Sequence, residues 1–288
     1  MPLSVPAHRA LERTPEFALR PADQPGTPRP PPARRRRVWF VCDALGIVCA
    51  ASTWGLVVGA ASALLSELLI PSRDLVYAAA NGALFHLLAF LGLASHARAM
   101  LTDPGSVPLG EAPRPDARRC RPCGGSRPAR AHHCSVCGRC IRKVDHHCPW
   151  VNNCVGEDNQ KYFVLFTLYI ALASLHVLLL LGVPALRQYA QGEWDTNSTV
   201  SPRGSLIFLF LVSLKGLIFT SVMFGTQMYA ICTDQTRIEQ LQREQSRWGK
   251  GTMWMNLKAV FGHQVSVAWI NPFASQEPQK SDGHHDVV

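Results

Sequence analysis

Seven of the ten cysteines fall between Cys120 and Cys154, and they obey a repeat. Cys120, Cys123, His133 and Cys140 recur fourteen positions later as Cys134, Cys137, His147 and Cys154, with every internal spacing kept. Each copy supplies three thiols and one imidazole, the ligand set of a closed tetrahedral site, so the spacing predicts two structural zinc ions. One thiol is left over. Cys148 stands where the first copy has Cys134, but no third ligand set follows it, and Asp145 stands where the first copy has Ala131, next to His146. A metal-free thiol beside an imidazole, with a carboxylate to orient that imidazole, is the nucleophile, base and orienter arrangement of covalent catalysis. On an extended backbone successive side chains alternate, so His147 can face zinc while His146 faces the reaction. The competing reading of Cys148 as a spare ligand in a zinc ribbon leaves the Asp145 and His146 pair without a use.

These residues, extended by Arg127, Pro128, Arg130, Gly138, Pro149, Trp150, Asn153, Gly156, Asn159 and Phe163, resemble the DHHC-type protein S-acyltransferases, or palmitoyltransferases, without a gap. Beyond this core the chain is similar to the Golgi-associated members, through Ile70 to Asp74, Leu101 to Gly105 and Phe219 to Gly225. The resemblance implies an all-α multi-pass membrane protein of the Golgi. Four transmembrane helices would carry a cytosolic cysteine-rich domain of zinc-bound β-hairpins between helices 2 and 3. It further implies that Asp103, Pro104 and Gly105 pack that domain against the helices. Thr236, Arg237, Ile238 and Glu239 resemble the family's Thr-Thr-x-Glu motif with arginine in the second place, which puts the second threonine's role in doubt. Asn256, Phe261, Gly262, Trp269 and Pro272 resemble its C-terminal aromatic motif.

The elements that must position the thiol are apolar. Residues 44–66, 75–97 and 162–186 contain no Asp, Glu, Lys or Arg, and each can span about 30 Å of hydrocarbon. A fourth block, 206–231, is interrupted by Lys215. A central lysine costs roughly 2.5 to 3.5 kcal/mol, so this helix is expected to start late or to let Lys215 snorkel. His86 and His176 lie within spans and are read as neutral histidines satisfied between helices. Asp103, Pro104 and Gly105 close the second span with a turn. Cys42, Cys49 and Cys232, in or beside spans, read as packing or lipidation positions.

The chain therefore divides into a disordered cytosolic tail (1–40), helices 1 and 2 (41–97), the zinc domain (98–161), helices 3 and 4 (162–233) and a cytosolic tail with an interfacial segment (234–288). Residues 1–37 hold nine prolines and end in Arg34, Arg35, Arg36 and Arg37. The arginines abut the first span as a positive-inside anchor. Eight basic residues, Arg118, Arg119, Arg121, Arg127, Arg130, Arg139, Arg142 and Lys143, share the cytosolic side with them, while the luminal loops show no basic excess. The net charge of +9 thus reflects membrane topology, and a nucleic-acid partner is excluded by tethering to the bilayer. Cysteine pairs on a cytosolic face favour metal over disulfide. Asn197 to Thr199 forms a glycosylation sequon on the luminal side. Trp248 to Phe261 mixes Met253, Trp254, Met255, Leu257 and Val260 with Arg247, Lys250 and Lys258, as a segment lying in the interface does. Asp286, Val287 and Val288 have a form that a PDZ groove takes.

Span three opens eight residues after Cys154, which holds the thiol at the membrane surface. There it meets a water-soluble thioester, a lipid chain and membrane-associated protein cysteines. Long-chain acyl-CoA suits this position, with its phosphates among arginines. The expected reaction is transfer of palmitoyl from acyl-CoA to Cys148 and then to a protein thiol, with His146 moving the proton and Asp145 orienting it. A membrane-anchored zinc adaptor without catalysis is the rival function. In the family, bulk on the third span limits acyl length. Ala173, 25 residues beyond Cys148 and about 16 Å into the bilayer, is the position expected to floor the acyl cavity.

Overall fold

A computed structural model of the chain describes residues 39–108, 118–192, 204–242 and 251–275. The expected tail up to residue 38, Asn197, Arg247, Trp248, Lys250 and the terminal Asp286 to Val288 lie outside these residues. Among the described residues, four helices are long and apolar enough to cross a membrane: α1 (Ala44–Leu64), α2 (Leu75–Leu101), α3 (Gln160–Ala190) and α4 (Gly204–Thr233). Asp43 caps α1 by accepting from the Gly46 N–H, and Asp74 caps α2 through Tyr77 N–H. A π-helical turn, Leu65–Leu69, continues α1. α3 runs between its neighbours, where Ala173, Val177 and Leu180 meet Ala60, Ala63 and Leu64 of α1, Phe85 and Ala89 of α2, and Leu209 of α4. Alanines at these crossings let the helix backbones approach closely.

Two sequence expectations change. α4 starts at Gly204, before the apolar block, so it does not start late to avoid Lys215; the side chain instead stays exposed on the helix surface. His86 is exposed, and its Nδ1 lies 2.8 Å from the carbonyl of Gly82 one turn back, so it is satisfied within α2 and not between helices. His176 does reach across helices, to the Asn81 carbonyl at 3.4 Å.

Between α2 and α3 lie three antiparallel hairpins: β1 (Arg118–Arg119) with β2 (Ser126–Arg127), β3 (Ala131–Cys134) with β4 (Arg139–Arg142), and β5 (His146–Cys148) with β6 (Asn153–Val155). Their registers coincide at a step of fourteen residues, with Arg119 opposite Ser126, His133 opposite Cys140 and His147 opposite Cys154. The left-handed turn residue also recurs, as Gly124, Gly138 and Asn152 at φ 70°, 64° and 48°. The fold thus repeats three times where the ligand pattern repeats twice. In the third copy Val151 takes the place of Cys123 and Cys137, and it is fully buried beside Ala99, Val155, Phe163 and Phe166. Apolar burial against the helices stands in for a third metal set, while His147 and Cys154 of this hairpin still serve the second.

The hairpins are tied to α2 by the turn that follows it. Asp103 Oδ1 accepts from Gly105 N–H at 3.0 Å and Ser106 N–H at 2.7 Å. The chain then runs beside β4, with Val107 N–H donating to Cys140 O and Arg142 N–H to Gly105 O. On the far side of the bundle end, α5 (Arg237–Leu241) and α6 (Met253–Phe261) follow α4. No residue of α6 is buried, and Met253, Trp254 and Met255 are exposed. Trp269 stacks on Phe261 at 5.5 Å and also touches Trp254. Residues 268–274 are held by Lys161 Nζ, which donates to the carbonyls of Ala268 at 2.8 Å and Ala274 at 3.3 Å, and by Tyr169 Oη, which donates to Ile270 O. Lys161 is 1% exposed, so these carbonyls stand in for its water.

Gly156 lies where β6 passes the turn after α2. A Cβ there would press into the Pro104 carbonyl and Ile141. Gly156→Ala should cost roughly 1 to 3 kcal/mol. A lowered melting temperature of the purified protein, with α-helical circular dichroism unchanged at low temperature, is the expected result.

Candidate functional site

Both predicted ligand sets are assembled. In each, the one sulfur or nitrogen from every residue lies within 4.8 Å of the other three. His133 Nδ1 is 3.2 Å from Cys123 Sγ and 3.7 Å from Cys120 Sγ. In the second set His147 Nδ1 lies 3.5 to 3.8 Å from Cys134, Cys137 and Cys154. A tetrahedron with metal–sulfur bonds of about 2.3 Å has sulfur–sulfur edges of roughly 3.8 Å, so the donors fit a four-coordinate dication. The electrostatics agree. Hydrogen bonds from Cys137 and Cys154 pull the Cys134 thiol far below its ordinary value, while the interaction with Cys134 pushes Cys154 far above. Anionic sulfurs this close oppose one another until a cation joins them.

Strand β5 separates the two adjacent histidines. His147 turns to the metal set, while His146 and Cys148, two residues apart, share the opposite face. Cys148 is 5% exposed and joins a cluster with Ala99, Val151, Tyr162, Phe163 and Phe166. His146 packs edge-on to Phe163 at 5.5 Å, and its Nδ1 lies 2.9 Å from Asp145 Oδ2. His146 Nε2 is buried without a hydrogen-bond partner, on the same strand face as Cys148. Burial alone would lower the His146 pKa. Hydrogen bonds and charge from Asp145 and Cys148 outweigh it and raise the value to about 9.

Asp145 is 2% exposed and still ionised. Burial pushes its pKa up, but donors from His146, Arg237 and Gln227 bring it below the ordinary value. Gln227 Nε2 donates to Oδ2 at 2.7 Å, and Arg237 N–H donates to Oδ1 at 2.7 Å. The second place of the Thr-Thr-x-Glu-like motif thus reaches Asp145 through its backbone N–H, which arginine supplies as threonine would. Thr236 and Glu239 form a reciprocal cap at the start of α5. Arg130 holds this turn from the hairpin side, with Nε 2.6 Å from Glu239 Oε1 and Nη1 2.9 Å from Asp234 Oδ2. Removing one partner from such a buried set costs about 3 to 5 kcal/mol.

Three asparagines and a histidine seat the third hairpin. Asn153 Nδ2 caps the open carbonyls at the end of α2, with Ala99 O at 3.0 Å and Thr102 O at 2.9 Å. Asn159 Nδ2 bridges Ala99 O and Cys154 O, and Asn152 Nδ2 donates to Val41 O. Trp54 Nε1 donates to His96 Nδ1 at 3.1 Å, which leaves His96 Nε2 to donate to Trp150 O at 2.8 Å. His96 is thereby a neutral, doubly satisfied imidazole beneath the strand. Sequence reading missed His96 and Gln227, because each sits in an apolar run and its partners are more than forty residues away. Ala173 is buried in the helix cluster, about midway along α3 and well removed from the hairpins.

Comparison with known proteins gives one consistent answer. The profile of the DHHC palmitoyltransferase family matches residues 114–244. Palmitoyltransferase ZDHHC3 of Homo sapiens is 52% identical over 300 residues, covering 99% of both chains. Palmitoyltransferase ZDHHC7 of Rattus norvegicus is 49% identical over 82% of this chain and 81% of its own length. A probable protein S-acyltransferase 13 of Arabidopsis thaliana is 32% identical over 78% of each.

The alternation on β5 has a measurable outcome. His147→Ala and Cys134→Ala should lower bound zinc by about one equivalent, whereas His146→Ala and Cys148→Ala should retain two. Metal analysis of the four purified variants checks this; equal loss from His146→Ala and His147→Ala would show that both histidines serve the metal set.

Proposed function

The chain belongs to the DHHC palmitoyltransferases and is a protein-cysteine S-acyltransferase, and we propose that Cys148, His146 and Asp145 carry its chemistry. The observation that supports this most directly is the shared face of His146 and Cys148, with His146 fixed through Nδ1 by an ionised Asp145. The Cys148 proton resides on His146, and the sulfur attacks the thioester carbonyl of a long-chain acyl-CoA. The carbon–sulfur bond to CoA breaks, and His146 returns its proton to the departing thiolate. In the second step His146 takes the proton of an incoming protein cysteine, whose sulfur displaces Cys148 from the acyl group. Acid–base assistance of this kind contributes about 10² to 10⁴ in rate. Zinc in the two sets would supply rigidity alone, since protein donors fill all four places of each.

The same reading places the hairpins, the N-terminus and the tail after α4 in the cytosol, on the Golgi membrane, following the arginine distribution and the similarity to ZDHHC3 and ZDHHC7. Acceptors are membrane-associated proteins with cytosolic cysteines near the bilayer. A PDZ partner at the terminal Asp286, Val287 and Val288 would be a separate, weaker association. Exposed Met253, Trp254 and Met255 suit α6 to the lipid interface. Ala173, small and buried among α1, α2 and α4, sets the floor of the acyl site on α3.

A clickable palmitoyl-CoA should label the wild-type protein through a thioester and leave Cys148→Ser unlabelled with both zinc ions in place. A non-catalytic adaptor would leave both unlabelled. Wild type should accept C18 about as well as C16, and Ala173→Phe should shift use toward C14, because overfilling this site is costly. Competition among the three acyl-CoAs reads this out, and an unchanged profile in Ala173→Phe would place the residue outside the acyl site.

A further inference from the structure

Asp145 can orient His146 only if it is itself held, and two of its partners come from the far side of the bundle end. One is the backbone N–H of Arg237, which no side-chain change removes. The other is a side chain. Gln227 is 1% exposed on α4, and its Nε2 donates to the same oxygen, Oδ2, that receives the His146 ring. Its Oε1 accepts from Gln160 Nε2, at the first residue of α3, at 3.1 Å. An ionised carboxylate only accepts, so the amide nitrogen must face Asp145 and the amide oxygen must face Gln160. The direction of the whole chain is thereby fixed, from Gln160 through Gln227 to Asp145 and His146.

We propose that Gln227 is a positioning residue for the acyl-transfer reaction, which fixes the Asp145 carboxylate so that His146 keeps its proton on Nδ1 and presents Nε2 to Cys148. The proposal rests on the roles given above to Cys148, His146 and Asp145. Without the Gln227 donor, Oδ2 keeps only the His146 contact, and the carboxylate can rotate about its bond to Cβ toward Arg237 N–H. His146 then loses its fixed angle to the sulfur. Gln227 touches neither the thiol nor the acyl group, and its effect passes entirely through Asp145. A residue that merely fills space between α3 and α4 would instead act on stability, independently of Asp145.

The test uses the full-length protein in lipid nanodiscs and the single-turnover rate of Cys148 acylation by palmitoyl-CoA. Gln227→Met keeps the length of the side chain and removes the donor. It should slow acylation about 10- to 100-fold, the range expected for a lost hydrogen bond to a charged group, with two zinc ions retained and the protein still folded. In an Asp145→Asn background the same change should slow the reaction no further. Wild-type acylation by Gln227→Met, or a slowing that multiplies on top of Asp145→Asn, would overturn the proposal. Should Gln227→Met lose zinc or melt early, Gln160→Met at the half-buried end of the chain is the second variant. It should slow acylation severalfold and only when Asp145 is present, and a wild-type rate there would equally overturn the proposal. Full-rate acylation by Asp145→Asn would instead show that the catalytic assignment itself is wrong, and the role of Gln227 with it.

Discussion

A carboxylate almost wholly removed from water stays charged only if donors replace the solvent, and the hairpin end of this protein is arranged around meeting that demand at Asp145. Its three donors come from the hairpin itself, from the interior of α4 and from the first turn of α5. The turn that presents Arg237 N–H is in turn fixed by the Thr236 and Glu239 cap and by Arg130 reaching from the turn before β3. Hairpins, fourth helix and post-helical turn therefore converge on one ionised group. The imidazole beside it inherits its orientation from all three.

The hairpins themselves show how one small unit supports two purposes. Each metal set is shared by two successive hairpins, so the middle hairpin gives donors to both sets. The third keeps the register and the left-handed turn residue but exchanges the second knuckle cysteine for Val151, which it buries against α2 and α3. With Val151 in place of a second knuckle thiol, Cys148 has no ligand set to join, and the apolar contact holds it against α2 and α3. The free thiol and its location are thus one structural change and not two.

Much of this was legible from residue types and spacing. Eight metal donors, the surplus Cys148 and the divergent Asp145 follow from a fourteen-residue step, because tetrahedral coordination imposes strict local spacing on a chain. The four apolar helices follow from hydrocarbon thickness, although their ends run past the charge-free blocks. What escaped notice has a common physical origin. Val151 carries no metal signature, so the third hairpin is invisible as a repeat. Gln227 and His96 gain meaning only from partners brought close by the fold, and one polar residue in an apolar run looks like any other. The arginine at 237 was read as a disturbance because a motif names side chains, whereas the contact it makes belongs to the backbone.

The contact made by Lys161 bears on the order in which the protein can be finished during synthesis. The metal sets draw only on residues between Cys120 and Cys154 and can close once that stretch has emerged. Asp145 acquires its full set of donors only after Gln227 and Arg237 exist, and Lys161 at the head of α3 finds its carbonyls only when Ala268 and Ala274 have been made, 107 and 113 residues later. A nascent chain therefore passes through a stage with folded hairpins, an incompletely held carboxylate and a lysine still needing water. The donors around Asp145 are thus complete only after the metal sets have all their residues.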